Sequence, residues 1–389
     1  MAYIPYGRQS ISKDDIRAVT DVLNSEFLTQ GPAVPAFEAA VLAHCGASHA
    51  IAANSATSAL HLACLALGVG EGDTVWTSPI TFVASANCVL YCGASIDFVD
   101  IDPATLNMSI ASLAQKLEYA AKAGEKLPKA VIPVHMAGQS CDMAGIQALA
   151  QRYGFRVIED ASHAIGARYR NGPVGDCRYS DIAIFSFHPV KIITTGEGGM
   201  AVTNDAGLAK QIALLRSHGV TREPADMAGQ SEGGWYYQQI ALGFNYRMTD
   251  IQAALGSSQI NHLEDWVARR HVLAARYDAS LAALPLILPR PHAEAYSAWH
   301  LYAVQLKENA PVSRAALFSA LRADKIGVNV HYIPVHLQPY YRRLGFKPGD
   351  YPNAESYYAS AISIPLYSAM SDEQQNRVIS TLSHHLREG

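Results

Sequence analysis

The sequence has little charge and little cysteine. Of its 389 residues 16% are charged and 49% hydrophobic, and the formal net charge is −4. No long basic run occurs, which argues against nucleic acid or an anionic membrane as the main partner. Small anionic ligands stay open, because they need only local donors. The six cysteines (Cys45, Cys64, Cys88, Cys92, Cys141, Cys177) form no CxxC pair and no zinc-ligand spacing, so they read as reduced, buried residues and no metal is expected. No apolar run reaches membrane-spanning length, and the first residues show no charged-then-apolar leader pattern, so the expected location is the cytoplasm. Neither an internal repeat nor a low-complexity linker is present.

What is present is a chain long enough for a large core, most naturally in two domains. Ser12 to Leu23 has helical spacing, with Ser12 as N-cap and Asp15 three residues on. From there strands and helices alternate: the HAIAAN strand, helix 57–67, the TVWTSP strand, helix 84–91, SIDFVDI, helix 110–123, AVIPVH, helix 143–153 and RVIED. Such alternation predicts an α/β fold whose mostly parallel sheet is covered by helices on both faces, with ligands beyond the carboxyl ends of the strands. One long helical stretch is expected from Thr249 to about residue 283. Beyond it, WHLYAVQL and GVNVHYIPV read as strands and helices start at Asn353 and Ser371. The predicted division is a large domain over 1–255 and a smaller C-terminal α/β domain over 256–389.

Three places bear chemistry, and a fourth only superficially offers a nucleotide-binding motif. Lys191 stands between the apolar runs IAIFSF and MAVT, just before a turn carrying Gly196, Gly198 and Gly199. Desolvating an ammonium is costly, so a lysine there is either a strand-end residue reaching for water or a nucleophile that forms a Schiff base with a carbonyl. Asn54-Ser55-Ala56-Thr57-Ser58 sits where a strand ends and a helix begins, which makes a phosphate cup or a plain helix cap. Glu159, Asp160 and His163 fall at the carboxyl end of a predicted strand, where a buried carboxylate needs a cationic partner such as a pyridinium nitrogen. Gly68-Val69-Gly70-Glu71-Gly72 follows a helix instead of a strand, so Gly68 reads as a helix terminator and not as part of a dinucleotide fingerprint.

Five motifs, NSATSAL, the TFVAS loop, EDASHA, SFHPVK with TTGEGG, and GFNYRMTDIQAA, occur in the order seen in the DegT/StrS-type sugar-nucleotide aminotransferases, and the chain resembles that family over nearly its whole length. The resemblance implies a fold-type I (aspartate aminotransferase-like) structure and pyridoxal 5'-phosphate as cofactor, with pyridoxamine 5'-phosphate as its intermediate form. It implies that Lys191 holds the cofactor and shuttles the proton, that Asp160 pairs with the pyridine nitrogen, and that His163 bonds the ring hydroxyl where relatives often carry glutamine. Phe82 would stack on the ring, Ala56, Thr57 and Ser186 would bind the phosphate, and Asn245 would reach the cofactor phosphate of a neighbouring subunit, which requires a homodimer with shared active sites. Tyr6, Glu26, Phe27, Leu28, Thr29, Val330, His331, Tyr332 and Ile333 would line the sugar-nucleotide site, with Ala56, Ser186 and Asn245 touching substrate as well. His218, Arg222 and Arg247 are candidate cations for the diphosphate.

Within the family, SFHPVKIITTGEGG with LLRSHGVTRE, WYYQQIALGFNYRM and VHYIPVH is most similar to the 4-aminotransferases of pseudaminic acid biosynthesis. That similarity implies L-glutamate as donor, 2-oxoglutarate as co-product and UDP-2-acetamido-2,6-dideoxy-β-L-arabino-hex-4-ulose as the UDP-linked 4-keto sugar. Aminotransferases for D-configured UDP-sugars or for dTDP-linked 3-keto sugars would share the same cofactor residues. Related 3-dehydratases resemble this chain but carry histidine at the lysine position, so Lys191 argues for transamination. A catalytically silent ligand-binding relative would have lost the lysine or the aspartate, and both are in place.

Overall fold

The computed structural model describes residues 2–387. Its central sheet has seven strands, β1 (His49–Ala53), β2 (Thr74–Thr77), β3 (Ser95–Phe98), β4 (Ala130–Ile132), β5 (Arg156–Asp160), β6 (Ile182–Ser186) and β7 (Gly199–Thr203). They lie in the order β1-β7-β6-β5-β4-β2-β3. Within this sheet β7 alone runs antiparallel to its neighbours, because the turn after β6 folds it straight back, opposing Ser186 to Gly199. The rest of the sheet is parallel.

Helices α1 (Lys13–Leu23), α2 (Ala33–Cys45), α3 (Ala56–Ala66), α4 (Ala84–Tyr91), α5 (Ile110–Ala123), α6 (Met143–Tyr153), α7 (Ala206–Arg216) and α8 (Asp250–Gln259) surround the sheet. All five residues of β6 are buried, and they alternate between two cores. Ile182 and Ile184 pack with Leu60 of α3, Val89 of α4 and Ile212 of α7. Ala183 and Phe185 pack on the opposite face with Phe37 and Val41 of α2 and Ala253 of α8. A strand buried on both faces has no polar side to show, which is why β6 is apolar from Ile182 to Phe185. Truncating a side chain as enclosed as Phe185 costs about 3–5 kcal/mol.

The helix ends follow local chemistry. At α1, Ser12 Oγ accepts from the Asp15 N–H while Asp15 accepts from the Ser12 N–H, a reciprocal capping box. Gly68 ends the α3 region with φ +68, a conformation that a side chain disfavours.

The C-terminal core gathers around a three-stranded antiparallel sheet of β8 (Leu286–Ile287), β9 (Tyr302–Leu306) and β10 (Ala361–Ile364), with β9 in the middle. Leu273, Tyr277 and Leu281 of α9 (Leu263–Leu281), Leu317 and Leu321 of α10 (Arg314–Ala323), and Val378 and Leu382 of the final helix, Asp372–Arg387, fill it. Ile4 packs here too, and its backbone bonds to Lys325 and Gly327.

Two sequence expectations need correction. The stretch expected as one helix from Thr249 is broken by a 3₁₀ turn at Ile260–His262, which redirects the chain from the core beneath α8 toward the C-terminal core. GVNVHYIPV is not a strand. It has a single ladder contact, between Asn329 and Ser363, because the Asn329 side chain takes the Val330 N–H and Pro334 has none to offer. α10 and β10 were not anticipated.

Candidate active site

The carboxyl ends of β5 and β6, the N-terminus of α3, the loop entering α4 and residues 329–332 enclose a cavity of about 570 Å³. Strand pleating fixes Asp160 at the end of β5, where it is buried and receives hydrogen bonds from Ser85 Oγ at 2.6 Å and the Ser162 N–H at 3.1 Å. Ser85 is itself paired with Thr81 at 2.7 Å, so a short hydroxyl chain stands behind the carboxylate.

Lys191 lies on the turn after β6, held by its N–H to the His188 carbonyl, and lines the cavity half-buried. Desolvation pushes its amine down to about 8, and the Asp160 charge partly opposes that fall. More of it is therefore neutral, and so nucleophilic, at physiological pH than for an ordinary lysine.

Four histidines line the cavity with Lys191, and three of them, His163, His300 and His331, are kept uncharged. Burial, assisted by the Lys191 charge, lowers His163 and His300 well below the ordinary histidine value and brings His331 to about 3. His163 Nε2 lies 3.0 Å from the Tyr332 hydroxyl, and its Nδ1 is buried without a partner. His300 packs against it with ring centroids 4.4 Å apart, also leaving Nδ1 unpartnered. His331 is anchored through Nδ1 to Ser363 Oγ at 2.8 Å.

At the other wall, Ser55 caps α3 by accepting from the Ser58 N–H, leaving the N–H groups of Ala56 and Thr57 facing the cavity side without intrahelical acceptors. The helix end sits tight against the sheet. A Cβ on Gly199 would come within 2.4 Å of the Ala56 nitrogen, so only glycine permits this approach. Ser186, buried at the end of β6, completes the rim. The arrangement combines an anion cradle, a desolvated amine, a buried carboxylate and a neutral imidazole with one free nitrogen.

Of the residues picked from the sequence, Tyr6, Ala56, Thr57, Phe82, Asp160, His163, Ser186, Lys191, Val330, His331 and Tyr332 line this cavity. Phe82 is 60% exposed and stands at its mouth. The loop Glu26-Phe27-Leu28-Thr29 does not reach it. That loop is exposed, tied to the start of α8 by the Leu28 carbonyl and by pairing of Thr29 with Thr249. Asn245 is also exposed and outside the cavity, held by its bridge to Ser217, and Ile333 points to solvent at 45% exposure. His218, Arg222 and Arg247 do not line it either.

Sequence reasoning missed Ser85, Ser162, His300 and Asn329 as cavity residues. A serine in the quoted TFVAS loop was a usable signal, since a buried carboxylate at a strand end needs donors; nothing local marks His300, which arrives from more than a hundred residues downstream. A larger crevice of about 980 Å³ opens between residues 103–106 and 286–292, but among the described residues it collects no unpartnered buried polar side chain.

The DegT/DnrJ/EryC1/StrS aminotransferase family model matches residues 9–383. The spore coat polysaccharide biosynthesis protein SpsC of Bacillus subtilis (strain 168) is 43% identical over 381 residues, which cover 97% of this chain and 95% of SpsC. Among solved structures, Helicobacter pylori PseC, an aminotransferase involved in the biosynthesis of pseudoaminic acid, superposes over 100% of both chains with a TM-score of 0.90 at 30% identity. Spr1654 of Streptococcus pneumoniae superposes in its PMP-form over 99% of both chains, with a TM-score of 0.89 at 28% identity, and is also known in a PLP-form.

Proposed function

We propose a reaction from one premise: the chain belongs to the DegT/DnrJ/EryC1/StrS aminotransferase family and is a pyridoxal-phosphate-dependent sugar aminotransferase of fold-type I. The reaction is transfer of the amino group of L-glutamate to C4 of a UDP-linked 4-keto sugar, UDP-2-acetamido-2,6-dideoxy-β-L-arabino-hex-4-ulose, as a step in pseudaminic acid biosynthesis. The convergence of Lys191, Asp160 and the unpartnered His163 Nδ1 in one cavity carries the reading of the chemistry. The match to PseC over the full length of both chains supports the choice of sugar.

The residues present fit the cofactor. The open N–H groups of Ala56 and Thr57 suit a phosphate at the positive end of α3, with Ser186 beside them. Asp160 suits a protonated ring nitrogen, and the free His163 nitrogen suits the ring oxygen. Once bound, pyridoxal phosphate supplies an electron sink for the carbanion left when the donor Cα loses its proton. Lys191 anchors the cofactor, takes the Cα proton of glutamate, and in the second half-reaction delivers a proton to the sugar C4. Asp160 would face the ring nitrogen, with one oxygen held by Ser85 Oγ and the other by the Ser162 N–H. Phe82 covers the mouth and limits water.

In this reading two chains complete each site. Asn245 is exposed and outside its own cavity, so it is free to enter a partner's. Trp235, Tyr237 and Leu242, just before it, are 73%, 55% and 83% exposed, an apolar surface suited to burial against a second copy. The 43% identity with SpsC favours a second substrate, a 4-keto or 3-keto nucleotide sugar destined for another polysaccharide. NMR of the product made from each 4-keto sugar nucleotide with L-glutamate separates the two. A 4-amino-4,6-dideoxy product from the L-arabino substrate is expected, and turnover confined to other sugar nucleotides would overturn the assignment.

A further inference from the structure

The buried His163 carries an unanswered question of tautomer. Its Nδ1 is buried beside the cavity without a partner, and its Nε2 has one, the Tyr332 hydroxyl at 3.0 Å. A neutral imidazole has one donor and one acceptor, so whatever the hydroxyl does at Nε2 dictates what Nδ1 can do. We infer that Tyr332 is a positioning residue: its hydroxyl donates to His163 Nε2, which holds the ring proton on Nδ1 and makes that buried, unpartnered atom a hydrogen-bond donor.

Three observations support this assignment. The Tyr332 hydroxyl has no other hydrogen-bond partner among the described residues, so if it accepted from Nε2 its own proton would be left without an acceptor. Burial and the nearby Asp160 charge raise the phenol above its ordinary range, so the proton stays on the oxygen and is available to donate. The imidazole stays neutral beside Lys191, with the His300 ring 4.4 Å away and the Tyr332 ring 6.0 Å away at an interplanar angle of 22°. The other tautomer would reverse the Tyr332 contact and leave the hydroxyl proton without an acceptor.

The consequence rests on the proposed function, in which an anionic ring oxygen of the cofactor faces His163. A donor at that position is useful and an acceptor is repelled. Glutamine, whose amide always carries N–H groups, needs no such tautomer control, so His163→Gln is predicted to make Tyr332 dispensable.

Two measurements on the full-length protein test this. Histidine side-chain 15N NMR of cofactor-free enzyme is expected to show His163 as the Nδ1–H form, shifting to a mixture in Tyr332→Phe. Titration of cofactor-free protein with pyridoxamine phosphate is expected to show about fivefold to tenfold weaker binding for Tyr332→Phe, the scale of one hydrogen bond. The same change made in a His163→Gln background should alter affinity less than about twofold. An Nε2–H spectrum in the wild-type protein, or equal losses in both backgrounds, overturns the inference. Wild-type protein that fails to bind pyridoxamine phosphate counts against the proposed function alone, because the NMR spectrum decides the tautomer without any cofactor.

Discussion

Replacing Lys191 with methionine should stabilise the cofactor-free protein while abolishing its chemistry. In the unfolded chain the amine titrates near 10.5, and in the folded protein desolvation lowers it to about 8. At about 1.4 kcal/mol per tenfold, that gap corresponds to about 3 kcal/mol of strain borne by the charged form. Lys191 is only half-buried, so water at the cavity mouth reduces this to about 1–2 kcal/mol. The sign follows from proton counting. Between pH 8 and 10.5 the unfolded chain binds more protons than the folded one, so stability rises with pH across that window. Below pH 8 both states are protonated and the full penalty is present. Urea unfolding of cofactor-free protein at fixed concentration should therefore show Lys191→Met ahead by about 1–2 kcal/mol at pH 7, with the lead closing near pH 10.5. The variant should still bind pyridoxamine phosphate and show no transamination. Equal stability of the two proteins at both pH values would refute the claim that Lys191 is held against desolvation.

Other perturbations probe the rest of the site. Asp160→Asn removes the charge but keeps the Ser85 contact, so kcat should fall at least about a hundredfold, the scale of a charge-assisted hydrogen bond, with KM for L-glutamate much less affected; a loss under about fivefold would argue that the carboxylate does not face a cationic ring. Ser85→Ala frees one Asp160 oxygen and should cost about tenfold in kcat, read by steady-state kinetics. Gly199→Ala places a methyl within 2.4 Å of the Ala56 nitrogen, so the start of α3 must shift; cofactor affinity should drop more than about tenfold and the melting temperature should fall by a few degrees, as overpacking by about 1–3 kcal/mol predicts. Mixing inactive Lys191→Ala with inactive Asn245→Ala protein should restore activity, because each mixed dimer then holds one intact site; no recovery after subunit exchange, verified by light scattering and native mass spectrometry, would show that Asn245 serves its own chain.

The alternation of apolar strands with helices over the first two hundred residues needed no tertiary information to read. A strand covered on both faces shows no polar alternation, and β6 and β7 are buried at every residue and carry polar side chains only at their last residues, Ser186 and Thr203. The cup at Ser55, the carboxylate at the end of β5 and the lysine after β6 were legible for a related reason. The first two sit at a helix start and a strand end, where backbone geometry decides which way the chemistry faces, and Lys191 lies on the turn that follows β6. The five motifs in register named the family, and matching over residues 9–383 agrees with them.

Only the tertiary structure could bring in His300 and show which partners Ser85 and Tyr332 meet. They come from sequence-distant segments, and their roles depend on distances of 2.6 Å to Asp160, 4.4 Å to the His163 ring and 3.0 Å to His163 Nε2. It also decided against a strand at GVNVHYIPV, where a side chain captured the backbone N–H that a ladder would have used. Local sequence specifies which groups sit at the end of each element, because pleat and helix period are short-range. The hydrogen-bond partners that set protonation and tautomer come from packing, and packing is a property of the whole chain.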